Sequence, residues 1–138
     1  MSREAQDEPD RRFGIGSSIP VLRMLDEADT RAFYIDILGF AIDWEHRFEP
    51  ESADSPLYMQ VRLGDAVLHL DGHKDRDAPV TEVRIPVRRI EEFCADLRAR
   101  WPGSDKPEAV DPRYEGRNTD LNLIDPSGNL LVFWLEGE

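Results

Sequence analysis

The strongest constraint on this chain is that one order of elements (strand, helix, three strands) runs through it twice. In the first pass, residues 18–25 (SIPVLRML) are strand-like. Asp26 offers an N-cap for a helical run to Leu38, with Ala28, Ala32 and Ile35 at helical spacing. Gly39 closes that helix, because glycine takes the left-handed conformation at little cost. Three strands follow, at 40–48 (FAIDWEHRF), 57–63 (LYMQVRL) and 66–70 (AVLHL), the last two joined by a tight turn at Gly64 and Asp65. The turn-rich stretch 71–79 (DGHKDRDAP) has no apolar period and links the two passes.

In the second pass, 80–87 is a strand and 88–101 a helix with Ile90, Phe93, Cys94, Leu97 and Trp101 on its apolar face. Pro102 and Gly103 stop that helix. Strands at 106–110, 119–124 and 130–135 complete the pattern, the last two joined by the turn DPSGN at 125–129. This order makes an α+β protein of two βαβββ modules. A helix covers one face of each four-stranded module, and two modules can curl their free faces into a shared cup of mixed sheet. The expected boundaries are a tail at 1–15 and one domain at 16–137, with modules at 16–73 and 79–137. The tail is assigned on composition: Glu, Asp, Arg and Pro dominate it, and there is almost nothing to bury.

Length supports a single unit, since 138 residues bury one sizeable core and are too few for two ordinary domains. A formal net charge of −12 repels phosphate backbones and anionic lipid, which excludes nucleic acid and membrane surfaces as expected partners and suits a cationic small molecule. The charged N-terminus lacks the apolar run of a secretory signal, no stretch is long enough to span a bilayer, and the single Cys94 excludes an internal disulfide, so a cytoplasmic location is expected. Cys94 lies on a helix's apolar face and is expected to be a buried, unreactive thiol.

Side chains able to grip a ligand concentrate on the strands. Trp44, Tyr58, Tyr114 and Trp134 supply flat, amphipathic area suited to planar heterocycles. Alternation separates Tyr58, Gln60 and Arg62, which face the cup or solvent, from Leu57, Met59, Val61 and Leu63, which pack under the helix. His46 and His69 flank apolar or aromatic strand residues and are ligand-contact candidates, whereas His73 falls in the polar linker and is expected to play no such part. Arg113, Tyr114 and Arg117 occupy a loop placed to act as a lid or as a plain connection. A nucleophile triad and a glycine-rich phosphate loop are both missing from the sequence.

The run 18–40, with Asp26, Phe33-Tyr34 and Leu38-Gly39-Phe40, resembles the first strand and helix of bleomycin-resistance-type members of the glyoxalase/bleomycin-resistance (vicinal oxygen chelate) superfamily. Residues 125–129 followed by a strand ending Phe133-Trp134 are similar to that family's C-terminal signature. The resemblance implies a glyoxalase-like fold and a homodimer with ligand crevices at the subunit interface. It implies that metal-using members place ligands at positions matching Ile19, His69, Glu82 and Val132, two of which are apolar here. It also puts Trp134, on the same face as Val132, inside the cup. No catalytic residue and no cofactor are therefore expected. The expectation is a binding protein that sequesters an aromatic, cationic compound such as bleomycin without chemistry, using Trp44, His46, Tyr58, Gln60, His69, Glu82, Arg113, Tyr114 and Trp134. One alternative is a divalent-metal glyoxalase, isomerase or ring-cleaving dioxygenase using His69, Glu82 and a third ligand. Another is a dimerisation module whose own side chains plug the cup.

Overall fold

A computed structural model describes residues 12–52, 54–73, 80–109 and 119–136. The described chain runs β1 (Val21–Arg23), α1 (Glu27–Arg31) continued by a π-helix (Ala32–Ile37), β2 (Ala41–Arg47), β3 (Leu57–Leu63), β4 (Ala66–Asp71), β5 (Glu82–Val87), α2 (Ile90–Arg100), β6 (Asp120–Ile124) and β7 (Leu130–Leu135). One sheet has the order β1-β4-β3-β2 and the other β5-β7-β6. In each, the strand before the helix lies parallel to the last strand of its module, and the remaining pairs are antiparallel. The repeat predicted from element order is therefore present in topology. It is one strand short in the second module among the described residues: residues 106–109 pair with no strand. The Pro107 carbonyl instead accepts from Arg98 Nη1 at 2.8 Å, and proline brings no N–H to a ladder. Val110 lies outside the described residues, as do 1–11 of the tail and 74–79 of the linker.

The first helix begins where expected, the Asp26 carboxylate accepting from the Asp29 N–H at 2.8 Å. Its inward face is not the predicted one. Ala28 and Ala32 are exposed and Ile35 is half-buried, while Thr30, Phe33, Tyr34 and Leu38 are buried. The large side chains decide which stripe turns inward, because burying them removes far more apolar area from water than burying alanine does. In the π segment the Leu38 N–H reaches back to Phe33 O at 3.0 Å, and Gly39, at φ 90°, ends the helix. In the second helix, Ile90, Cys94 and Leu97 are buried, and Phe93 and Trp101 pack beside them, as the spacing predicted.

Leu22, Met59, Val61, Leu68 and Leu70 of the first sheet and Ile85, Leu121, Leu131 and Phe133 of the second share one hydrophobic cluster with both helices. The modules meet within a single chain. Phe33 packs edge-on to Trp101 at 6.3 Å, and Arg100 Nε donates to the Ile37 carbonyl at 2.7 Å. The turn at 125–129 does more than join β6 to β7. On β1, Pro20 O and Met24 N bond toward β4, so Arg23 O and Leu25 N face the open edge. Asn129 Nδ2 donates to the first at 2.9 Å, and the Ser127 hydroxyl accepts from the second at 2.9 Å. These two bonds cap the C-terminal end of that edge. The edge of β5 is blunted differently: Thr81 O and Val87 O accept from the β7 side, which leaves Pro86, without an N–H, on the outward phase.

Candidate functional site

Strand alternation builds the site. Leu57, Met59 and Val61 are buried under the first helix, so Tyr58, Gln60 and Arg62 stand on the opposite face of β3, as predicted. His69 of β4 is in register with Gln60, and His46 of β2 with Tyr58. Between Ile42 and Trp44 the register of β2 slips against β3. This bulge breaks strict alternation, so Asp43 and Trp44, adjacent in sequence, both reach open-face residues of β3. Trp44 stacks on Tyr58 with centroids 6.0 Å apart and an interplanar angle of 11°, and meets His69 edge-on at 5.3 Å. Trp44 remains 42% exposed.

A directed hydrogen-bond chain fixes these groups. Asp43 Oδ2 accepts from Gln60 Nε2 at 2.8 Å and from Arg62 Nε at 3.1 Å. With the Gln60 amide so oriented, its Oε1 accepts from His69 Nε2–H at 2.9 Å, and His69 Nδ1 accepts from the Tyr58 hydroxyl at 2.8 Å. The Gln60 hydrogen bond, aided by the Arg62 charge and opposed by desolvation, holds the Asp43 carboxyl below its ordinary range. A second cluster adjoins. His46 meets Phe48 at 4.7 Å, Phe48 meets His73 at 4.7 Å, and His73 Nδ1 donates to Asp71 Oδ1 at 2.6 Å. His73, expected to be an idle linker residue, is thus oriented by a buried carboxylate.

On the second sheet, Glu82 is exposed, with its carboxylate 3.9 Å from Arg84. Trp134 is half-buried in register with Pro86 and Asp120, and Val132 beside it is buried. The structure therefore gathers Trp44, Tyr58, Gln60 and His69 into one network, sets His46 in the neighbouring cluster, and places Glu82 and Trp134 on the other sheet. Arg113, Tyr114 and Arg117 lie outside the described residues. Sequence reasoning missed Asp43, and placed Arg62 on the open face without giving it a part in the site; the two anchor the chain. Strict alternation puts Asp43 on the wrong face, and the bulge that corrects it has no signature in the sequence.

A family model described as "Glyoxalase superfamily protein" matches residues 4–137. The chain belongs to the glyoxalase superfamily. Solved structures sharing the fold include a bleomycin-binding protein from bleomycin-producing Streptomyces verticillus complexed with copper(II)-bleomycin, at 23% identity over 89% of this chain and 98% of that one, TM-score 0.63. A bleomycin resistance determinant encoded on the transposon Tn5 is 24% identical over 90% and 100% of the two chains, TM-score 0.61. A fosfomycin resistance protein from Listeria monocytogenes is 12% identical over 90% and 93%, TM-score 0.60. Comparison with curated proteins finds no match. The superfamily's metal pattern does not fit this chain. Ile19 and Val132 offer no donor atoms, both His69 nitrogens are engaged by Tyr58 and Gln60, and Glu82 stands at the surface beside Arg84. Among the described residues no three His, Cys, Asp or Glu side chains converge on a point that could hold an ion. No described helix is long and apolar enough to cross a membrane.

Proposed function

We propose that this glyoxalase-superfamily chain binds and sequesters a small aromatic, cationic compound such as bleomycin, without transforming it. The observation that carries the reading is the exposed Trp44, stacked on Tyr58 and held against a His69 whose orientation is fixed from both ring nitrogens. A stacking surface held in place before the ligand arrives avoids much of the ordering cost of binding. The net charge of −12 favours a cationic partner over nucleic acid or anionic membrane. The platform is the face of a sheet, so the reading includes a homodimer in which a second copy covers it, with Glu82 and Trp134 of the second sheet among the closing residues. A cytoplasmic location suits sequestration of a compound that has entered the cell.

Titration with metal-free bleomycin, followed by tryptophan fluorescence and calorimetry, tests the reading. One ligand per subunit is expected, with affinity weakened roughly tenfold by Trp44→Ala as the stacking contribution is lost. Binding that ignores both Trp44→Ala and Trp134→Ala places the ligand elsewhere, and absence of binding removes bleomycin as the ligand.

A further inference from the structure

Away from the open sheet face, a pocket of about 550 Å³ opens at one end of the first module, between the β1–α1 turn, the β2–β3 loop and the chain leaving β4. Its size is that of a small-molecule site. Its walls are of two kinds. Met24, Pro56 and Leu57 form an apolar floor, and Asp26, Asp54 and His73 stand at the polar side.

The polar side is organised by groups outside it. Asp71, 5% exposed, takes both the backbone N–H of His73 at 3.0 Å and its Nδ1–H at 2.6 Å on one oxygen. The ring is thereby fixed with an N–H on Nδ1 toward Asp71, which in the neutral tautomer makes Nε2 the acceptor. Phe48 packs edge-on against the ring at 4.7 Å. Glu27, also on the wall, is neutralised by Arg47 at 2.6 Å, and the same guanidinium donates to Ser55 O at 2.7 Å, tying the β2–β3 loop down. Asp26 spends Oδ1 on its helix cap and keeps Oδ2. Among the described residues the lining carries Asp26, Asp54 and the Arg47-paired Glu27, and no Lys or Arg.

We propose that this pocket is a second ligand site, separate from the aromatic face, that takes a small organic ammonium ion. Its N–H groups donate to the Asp26 and Asp54 carboxylates and to His73 Nε2, while its apolar body lies on Met24 and Leu57. A carboxylate or phosphate ligand is repelled by the same wall, and an uncharged analogue loses the charge-assisted bonds.

The test uses the full chain, with benzylammonium as the probe and benzyl alcohol as its uncharged counterpart, followed by amide correlation spectra and calorimetry. The amine is expected to saturate with shifts at Leu25, Leu57, Gly72 and His73. Asp54→Asn should weaken it about tenfold. Ala28→Phe, which fills the pocket from an exposed position, should abolish it, and Trp44→Ala should leave it unchanged. Equal binding of benzyl alcohol, survival of binding in Ala28→Phe, or absence of saturable shifts overturns the proposal. Loss on Trp44→Ala also overturns it by moving the amine to the aromatic face, so this site and the sequestration reading can fail independently.

Discussion

Replacing Tyr34 by Phe tests how far one buried hydrogen bond helps to lock the two modules together. Tyr34 is 0% exposed, and its hydroxyl donates to Asp125 Oδ2 at 2.6 Å, across the boundary between modules. Asp125, itself buried, also accepts from Ser127 N, Asn129 N and Asn129 Nδ2. The substitution therefore removes one donor from a carboxylate that keeps three others, and the acceptor is not orphaned. The Phe ring preserves the edge contacts to Phe33 at 5.1 Å and Phe40 at 5.6 Å, so no cavity term is added. What is lost is a hydrogen bond to a charged acceptor, worth about 1.5–3 kcal/mol. In urea denaturation followed by tryptophan fluorescence, the midpoint should fall with the slope unchanged, since the surface exposed on unfolding is the same. In an Asp125→Ala background the effect of Tyr34→Phe should largely vanish, because contacting groups are not additive. A loss below about 0.5 kcal/mol, the usual scale of surface changes, or full additivity with Asp125→Ala, would refute the lock.

The same pair predicts alkaline behaviour. Burial, then the Asp125 charge and the hydrogen bond to it, raises the Tyr34 pKa far above the tyrosine value of about 10, so the folded state keeps a proton that the unfolded chain releases. Stability should hold below about pH 10 and decline above it by up to about 1.4 kcal/mol per pH unit, and denaturation series from neutral to alkaline pH should show a shallower decline in Tyr34→Phe. At the site, Asp43→Ala should release the Gln60 amide, and ring nitrogen shifts should show His69 leaving its single Nε2–H tautomer while the urea midpoint stays in place. Gly128, at φ 89°, has Arg23 Nη2 and Val80 Cγ1 each 3.2 Å from where a Cβ would sit, whereas Gly64, at φ 59°, has nothing within 4 Å. Gly128→Ala should cost about 1–2 kcal/mol for the left-handed backbone plus the crowding, and Gly64→Ala only the backbone part, so equal urea midpoints for the two variants would contradict the crowding.

Much of the architecture was legible because the signals were local. Leu57, Met59 and Val61 alternate with Tyr58, Gln60 and Arg62, and period two in a short run leaves one arrangement in which the apolar set is buried. Asp26 caps a helix from its own side chain, and Asp125 organises DPSGN through its own next residues. Misreadings arose where local pattern competes with packing. The stripe Ala28, Ala32, Ile35 has good helical spacing, yet Phe33 and Tyr34 turned inward, because a core forms around volume rather than periodicity. The run 106–110 looked like a strand, but the Pro107 carbonyl is taken by Arg98 of α2, a partner chosen by the fold.

The sequence by itself determined the order of elements apart from the strand expected at 106–110, the buried face of β3, the helix cap and the resemblance to the glyoxalase superfamily, all of which depend on residues within a few positions of one another or on motifs carried intact. Tertiary structure alone decided that Asp43 joins Trp44 on the open face, that His69 spends both nitrogens on Tyr58 and Gln60, that His73 faces a pocket with Asp71 behind it, and that the 125–129 turn caps the C-terminal end of the β1 edge. Each of these depends on register or on contact between distant segments. A shift of one residue along a strand exchanges its faces, and the register is set by the pairing of whole strands rather than by any residue considered alone.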